Sequence, residues 1–300
     1  MIPRFKLHNG IFIPAQGLGT YNIPKKSLVS SIKAAYESGC SLIDTASAYG
    51  NEHQIGDAIK LLESEKILSR KNLFIQTKVG DKIDKLGCPI GYYFYNSSSC
   101  PNHDTKSVVN MQVEYSLKSL QTDYLDMVMI HWPYFDVLND IWAALEDLYE
   151  QGVIKSIGVS NCCKRHIERI LRTANVVPMV NQINVSPINT HTEDCDFFRD
   201  NNIVVEAYSP MNVIRNSTFK EKHAELFLLS DKYNKTMPQI ILRWFFQKNI
   251  IALPKSKTPS RISQNYNIYD FNLSEDDIAR IDAANFNYQF LTESLYCPGY

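Results

Sequence analysis

Residues 40–52 read Cys40-Ser41-Leu42-Ile43-Asp44-Thr45-Ala46-Ser47-Ala48-Tyr49-Gly50-Asn51-Glu52. Leu42 and Ile43 form the short apolar run of a buried strand. A carboxylate follows at once, and such a strand seldom ends on Asp unless something pairs with it. Small residues lead to Tyr49 and Gly50, and Asn51 stands where it can cap a helix beginning at Glu52. Strand, acid, short loop, tyrosine and helix form the pattern of a strand-to-helix loop in a catalytic α/β protein. Read alone, the run is equally an ordinary capped loop.

The pattern recurs on both sides. Before it, Phe5 to Ile13 reads as a hairpin about Asn9-Gly10, ended by Pro14. A strand at 16–20 and a helix at about 27–38, closed by Gly39, come next. After it, strands are expected at 73–77, 125–130, 156–159, 180–184, 203–208 and 250–253. Helices are expected near 52–63, 105–120, 139–151, 164–173, 193–200, 221–232, 237–248 and 259–267, with an extra one from Ser274, where Asp277 can close a capping box. Eight strands, each followed by a helix, predict a parallel (β/α)8 TIM barrel with an N-terminal β-hairpin and an added C-terminal helix. No linker or low-complexity block interrupts residues 1–300, so one domain is expected.

Composition narrows the function. Among 300 residues, 31 Lys and Arg balance 32 Asp and Glu to a net charge of −1. That leaves no electrostatic case for nucleic acid or an anionic membrane as partner. Seven cysteines at 40, 88, 100, 162, 163, 195 and 297 are odd in number and irregularly spaced, as suits a reducing compartment. Met1 to Lys6 lacks a signal-peptide core, and charges interrupt every apolar run before it reaches membrane-spanning length. A cytoplasmic protein is expected.

In such a barrel, chemistry gathers where the strands end. The polar residues there are Asp44, Lys78, His131, Ser160, Asn161, Gln182, Tyr208 and Lys255. With Tyr49 added, four of them suit carbonyl reduction. A Lys ammonium about 4 Å from a phenol is worth roughly 4 kcal/mol at an effective dielectric of ~20, enough to bring tyrosine into proton-transfer range. Asp44 would keep Lys78 charged, and His131 would orient a carbonyl oxygen by donating to it. The hydride needs a cofactor. Gly17-Leu18-Gly19 lacks the third glycine of a dinucleotide fingerprint, so a Rossmann domain is not expected. Leu253 to Arg261, rich in lysine and hydroxyls at a helix start, suits a phosphate, or equally a basic surface turn. No zinc-ligand set accompanies the constellation.

The chain resembles an aldo-keto reductase from about Gly17 to Ala284. The resemblance rests on Ile43-Asp44-Thr45-Ala46 with Tyr49-Gly50-Asn51-Glu52, then Thr77-Lys78, Ile130-His131-Trp132-Pro133 and Gly158-Val159-Ser160-Asn161. It continues through Asn181-Gln182, Ala207-Tyr208-Ser209-Pro210 and Pro254-Lys255-Ser256 with Arg261 and Asn265. It implies an NADPH-dependent reductase of small aldehydes and ketones, with Asp44, Tyr49, Lys78 and His131 as the catalytic tetrad and Tyr49 as proton donor. Ser160, Asn161 and Gln182 would hold the nicotinamide carboxamide, and Tyr208 would stack on the ring. Gly19, Thr20, Asp44 and Ser209 would complete the cofactor groove. Lys255, Ser256 and Arg261 would take the 2′-phosphate, while Gln264 and Asn265 reach the adenine. Tyr21, Tyr49, His131 and Trp132 would face the substrate, and no metal is implied.

Some positions depart from the family pattern. Tyr21 stands where Trp is frequent, Asn184 and Ser186 replace a common Glu and His, and Cys162-Cys163 replaces an aromatic. These cysteines are expected to be buried and inert. Residues 79–103 form an unusually long loop carrying Tyr92-Tyr93-Phe94-Tyr95, either a substrate wall or rings tucked onto the barrel. Cys88, Cys100 and His103 fit no standard zinc spacing. The alternative function is a cofactor-binding regulatory subunit that senses redox state, and a second rival is a Schiff-base enzyme using Lys78.

Overall fold

Asn9 and Gly10 turn the chain so that β1 (Arg4–Lys6) pairs antiparallel with β2 (Phe12–Pro14), Phe5 opposite Ile13. Leu7 and Ile13 are buried, and Asn9 and His8 bond the carbonyls of Lys155 and Val177, which precede two core strands. The hairpin therefore covers the end of the barrel at which the strands begin. Pro14 is the last residue of β2. The computed structural model describes residues 2–83, 89–94, 104–134, 136–215, 223–289 and 291.

The first three barrel strands are β3 (Gly17–Gly19), β4 (Leu42–Asp44) and β5 (Phe74–Val79). A separate antiparallel hairpin follows, β6 (Asp81–Ile83) with β7 (Pro89–Phe94), where a loop was expected. The barrel resumes with β8 (Met127–Ile130), β9 (Ile157–Ser160), β10 (Val180–Ile183), β11 (Val204–Tyr208) and β12 (Ile250–Leu253). All eight pair in parallel, and a parallel bridge from Gln16 to Ala252 joins the two outer strands. β8 and β12 are wholly apolar, whereas β5, β10 and β11 carry buried polar residues as well. Gly17 is required by packing, because a side chain there would run into Leu42 and Leu253.

Eleven helices occur among the described residues. They are α1 (Lys25–Glu37), α2 (Glu52–Ser64), α3 (Thr105–Leu120), α4 (Leu138–Glu150), α5 (Lys164–Leu171) and α6 (Thr192–Asp200). The short α7 (Asn212–Arg215) precedes α8 (His223–Tyr233), α9 (Met237–Gln247), α10 (Pro259–Tyr266) and α11 (Glu275–Asp282). Each long helix buries one stripe: in α4, Leu138, Ile141, Trp142, Leu145 and Leu148 face the core at helical spacing. Starts follow local chemistry. Asp104 accepts from the Ser107 amide at 2.7 Å, Thr236 and Gln239 form a capping box, and Ser274 accepts from the Asp277 amide. Asn51 makes no such cap. Its side chain instead donates to the Thr20 carbonyl and accepts from the Thr45 hydroxyl, pinning the loop that carries Tyr49.

Candidate active site

The strands end around a cavity of about 560 Å³. Lys78, on β5, is buried beneath it. Its ammonium lies 2.6 Å from Asp44 Oδ1 and donates to the Thr45 carbonyl at 3.0 Å. The stretch between Asp44 and α2 folds as one 3-10 turn, Ser47–Tyr49, closed by Gly50 in the left-handed conformation. Ser47 ties this turn to β5 by donating to the Lys78 carbonyl. Tyr49 is thereby set with its ring centroid 5.3 Å from the Lys78 nitrogen, within cation–π range. Its ring meets that of His131 edge-on at 5.9 Å and that of Tyr21 at 5.0 Å, while His131 stacks on Trp132. Asp44 and Lys78 from two strands, His131 just past β8 and Tyr49 from the 3-10 turn thus come together.

The opposite wall is a hydrogen-bonded chain. Tyr208 donates to Asn161 Oδ1 at 2.9 Å, Asn161 donates to the His131 carbonyl at 3.0 Å, and Ser160 donates to the Gln182 carbonyl at 2.8 Å. Asn161, Ser209 and Asn22, which all line the cavity, hold positive φ near +60°, +51° and +56°. Gly19 also lines the cavity, and a side chain there would press on the Leu253 carbonyl. Ser160, Asn161 and Gln182 line this wall, and Gly19 leaves room for close approach to the backbone.

Of the residues expected from sequence, Gly19, Tyr21, Asp44, Tyr49, His131, Trp132, Ser160, Asn161, Gln182, Tyr208, Ser209 and Lys255 line the cavity. Thr20 lies behind it, donating to the Asp44 carbonyl. Ser256, Arg261 and Gln264 lie outside that lining on the turn into α10 and its exposed face. Asn265 is largely buried, and its carbonyl accepts from Gln16. Sequence reading missed Asn22, Pro210, Met211, Asn212, Leu253 and Leu291 in the lining. It also missed Gln76 and Glu206, which lie within the barrel. A signal existed for both: each stands two residues before a rim residue, Lys78 or Tyr208, and so faces the same side of its strand.

Beneath the rim, Gln76 and Gln182 each donate through Nε2 to Asp44 Oδ1 and to Glu206 Oε2, all at 2.8–2.9 Å. Burial, and next the nearby Asp44, push the Glu206 carboxyl up to about 7. Burial likewise raises the Cys162 thiol. Cys163 is half-buried, with its sulfur 3.3 Å from Nδ1 of His166, at the start of α5. Cys88, Cys100, His103 and Tyr95 lie outside the described residues. No cluster of three His, Cys, Asp or Glu able to hold a metal occurs among the described residues, and no helix there is long and apolar enough to cross a membrane.

Residues 15–285 match the Aldo/keto reductase family. The chain is 38% identical over 282 residues to the uncharacterized oxidoreductase YtbE of Bacillus subtilis, covering 94% of this chain and 92% of that one. It is 36% identical over 284 residues to the glyoxal reductase of the same organism, covering 93% and 92%. The crystal structure of a Bombyx mori aldo-keto reductase in complex with NADP superposes with a TM-score of 0.83 at 29% identity, over 97% of this chain and 95% of that one. The match over residues 15–285 places the chain in the aldo-keto reductase family, and it is an oxidoreductase.

Proposed function

We propose that this protein reduces small aldehydes and ketones to alcohols with NADPH, Tyr49 giving the proton. The observation that carries the reading is the buried Lys78–Asp44 pair set directly behind the Tyr49 ring. Lys78 brings positive charge to a phenol otherwise too weak an acid, and stabilises the phenolate left after proton transfer. Asp44 keeps the ammonium charged and aimed. His131 directs a donor toward the carbonyl oxygen and limits its approach. A bound reduced nicotinamide supplies the hydride. Ser160, Asn161 and Gln182 would orient its carboxamide, and Tyr208 would cover its ring. Lys255, Ser256 and Arg261 would bind the 2′-phosphate, with Gln264 and Asn265 toward the adenine.

The relative named glyoxal reductase supports a small carbonyl as substrate. A Schiff-base role for Lys78 is disfavoured, since an ammonium held at 2.6 Å by Asp44 is not a nucleophile. Cysteines free among the described residues accord with a reducing, cytoplasmic setting.

Tyr49→Phe tests the mechanism. Turnover of an aldehyde panel, followed by loss of NADPH absorbance, should fall roughly 10²-fold or more while NADPH affinity stays nearly unchanged. Wild-type turnover in this variant would overturn the assignment.

A further inference from the structure

Glu206 is fully buried on β11, opposite Gln182 in register, inside the barrel beneath the rim. Its Oε2 accepts from the Gln76 and Gln182 amides, the same two NH2 groups that donate to Asp44 Oδ1. Asp44 Oδ1 also accepts from Lys78. The other Glu206 oxygen, Oε1, is buried with no hydrogen-bond partner among the described residues, and so is Gln76 Oε1.

A buried ionised carboxylate needs a cation or a full set of donors. The groups facing Glu206 can be enumerated strand by strand. From β4 comes Asp44, from β5 Gln76 and Lys78, and from β10 Gln182. The flanking β12, Ile250–Leu253, is apolar, and β3, Gly17–Gly19, carries no ionisable group. One cation therefore faces two carboxylates, and it is already committed to Asp44. The arrangement suits a neutral Glu206, its proton on the oxygen that no amide reaches.

We propose that Glu206 is a positioning residue which holds a proton behind the tetrad and thereby sets the charge that Lys78 presents to Tyr49. The proposal rests on Tyr49 being the proton donor, as argued above. While Glu206 is neutral, Lys78 and Asp44 form a balanced pair. Loss of the Glu206 proton to solvent adds a negative charge that shares both amides with Asp44. The field of Lys78 at the phenol is then partly cancelled, and Tyr49 becomes a weaker acid. Burial and Asp44, which raise the carboxyl to about 7, put this change near neutrality.

Two measurements test it. In the wild-type protein without substrate, infrared spectroscopy with 13C-carboxyl-labelled glutamate should show a protonated carboxyl band that persists to near-neutral pH and fades above it. The band should be absent from Glu206→Gln. In carbonyl reduction, log kcat should step down by roughly threefold or more through the same pH range. That step should vanish in Glu206→Gln, and move to higher pH in Gln76→Leu, which loses one donor to the carboxylate. A purely structural Glu206 would lower activity without altering the profile. Absence of the band in the wild type, or a step retained in Glu206→Gln, overturns the proposal. The infrared arm needs no turnover. An enzyme inert toward every carbonyl would therefore count against the proposed reaction, while the protonation state would still be read.

Discussion

Arg261 carries a charge that one substitution can interrogate. It stands third in α10, exposed, six residues beyond Lys255, which reaches the cavity. A helix start with two cations suits a dianionic phosphate, and arginine can grip it in a paired, charge-assisted fashion. Arg261→Ala should weaken NADPH roughly ten- to a hundred-fold, or about 1.5–3 kcal/mol, and NADH far less. Fluorescence titration of both cofactors decides it; equal losses would mean that Arg261 does not read the phosphate. That Asp44, Lys78 and His131 would lie near one another was legible in the sequence because each stands at or near a strand end, and a charge at such a place needs a partner. Asn51 misled for a physical reason. Asparagine before a helix usually caps it, but here a stronger demand, fixing the Tyr49 loop to Thr20, takes the side chain. Gln76 and Glu206 escaped notice because attention to strand ends skips what lies one layer deeper.

Among elements, the hairpin β6–β7 is the departure with consequences. The backbone of β7 lies beside the Ser47–Tyr49 turn, so the insertion flanks the loop that bears the proposed acid. Replacing residues 81–103 with a short turn should change KM differently for bulky and for compact carbonyls, because a wall excludes by size. Steady-state kinetics on a matched substrate series checks this, and a uniform change would make the hairpin mere decoration. Its strands were hard to read beforehand. Pro89 and Gly91 sit within β7, two residues that ordinarily argue against a strand, and the register slips twice along β6. The barrel strands had no such conflict, and helix bounds such as Thr105–Leu120 follow directly from the apolar stripe and the Asp104 cap. The short α7 fell below the length at which periodicity speaks.

For the molecule as a whole, stability should depend on pH through buried groups of opposite sense. Glu206 is raised to about 7 from an ordinary 4.5, so its contribution is complete below the unfolded value and is lost as pH rises through 7. Across that window the loss amounts to about 3 kcal/mol. His166, lowered from 6.5 to about 4 chiefly by burial and then by Arg165, acts the other way. It stabilises fully above 6.5 and loses that contribution as pH falls through 4. The two windows overlap with opposite slopes, so urea midpoints should change little between pH 4.5 and 6.5, whereas Glu206→Gln should leave them rising with pH across that range; midpoints that stay level in the variant would contradict the assignment. One further consequence follows from the bridge between Gln16 and Ala252. The strand that seals the cylinder lies far along the chain, so β3 waits for a partner made more than two hundred residues later. At about 5–20 residues per second, a nascent chain spends roughly ten to fifty seconds with raw strand edges on offer to its neighbours. Tyr49 and Lys78 emerge early, and Tyr208 and Lys255 join them only after the intervening strands have been made, so the site is completed late relative to its first members.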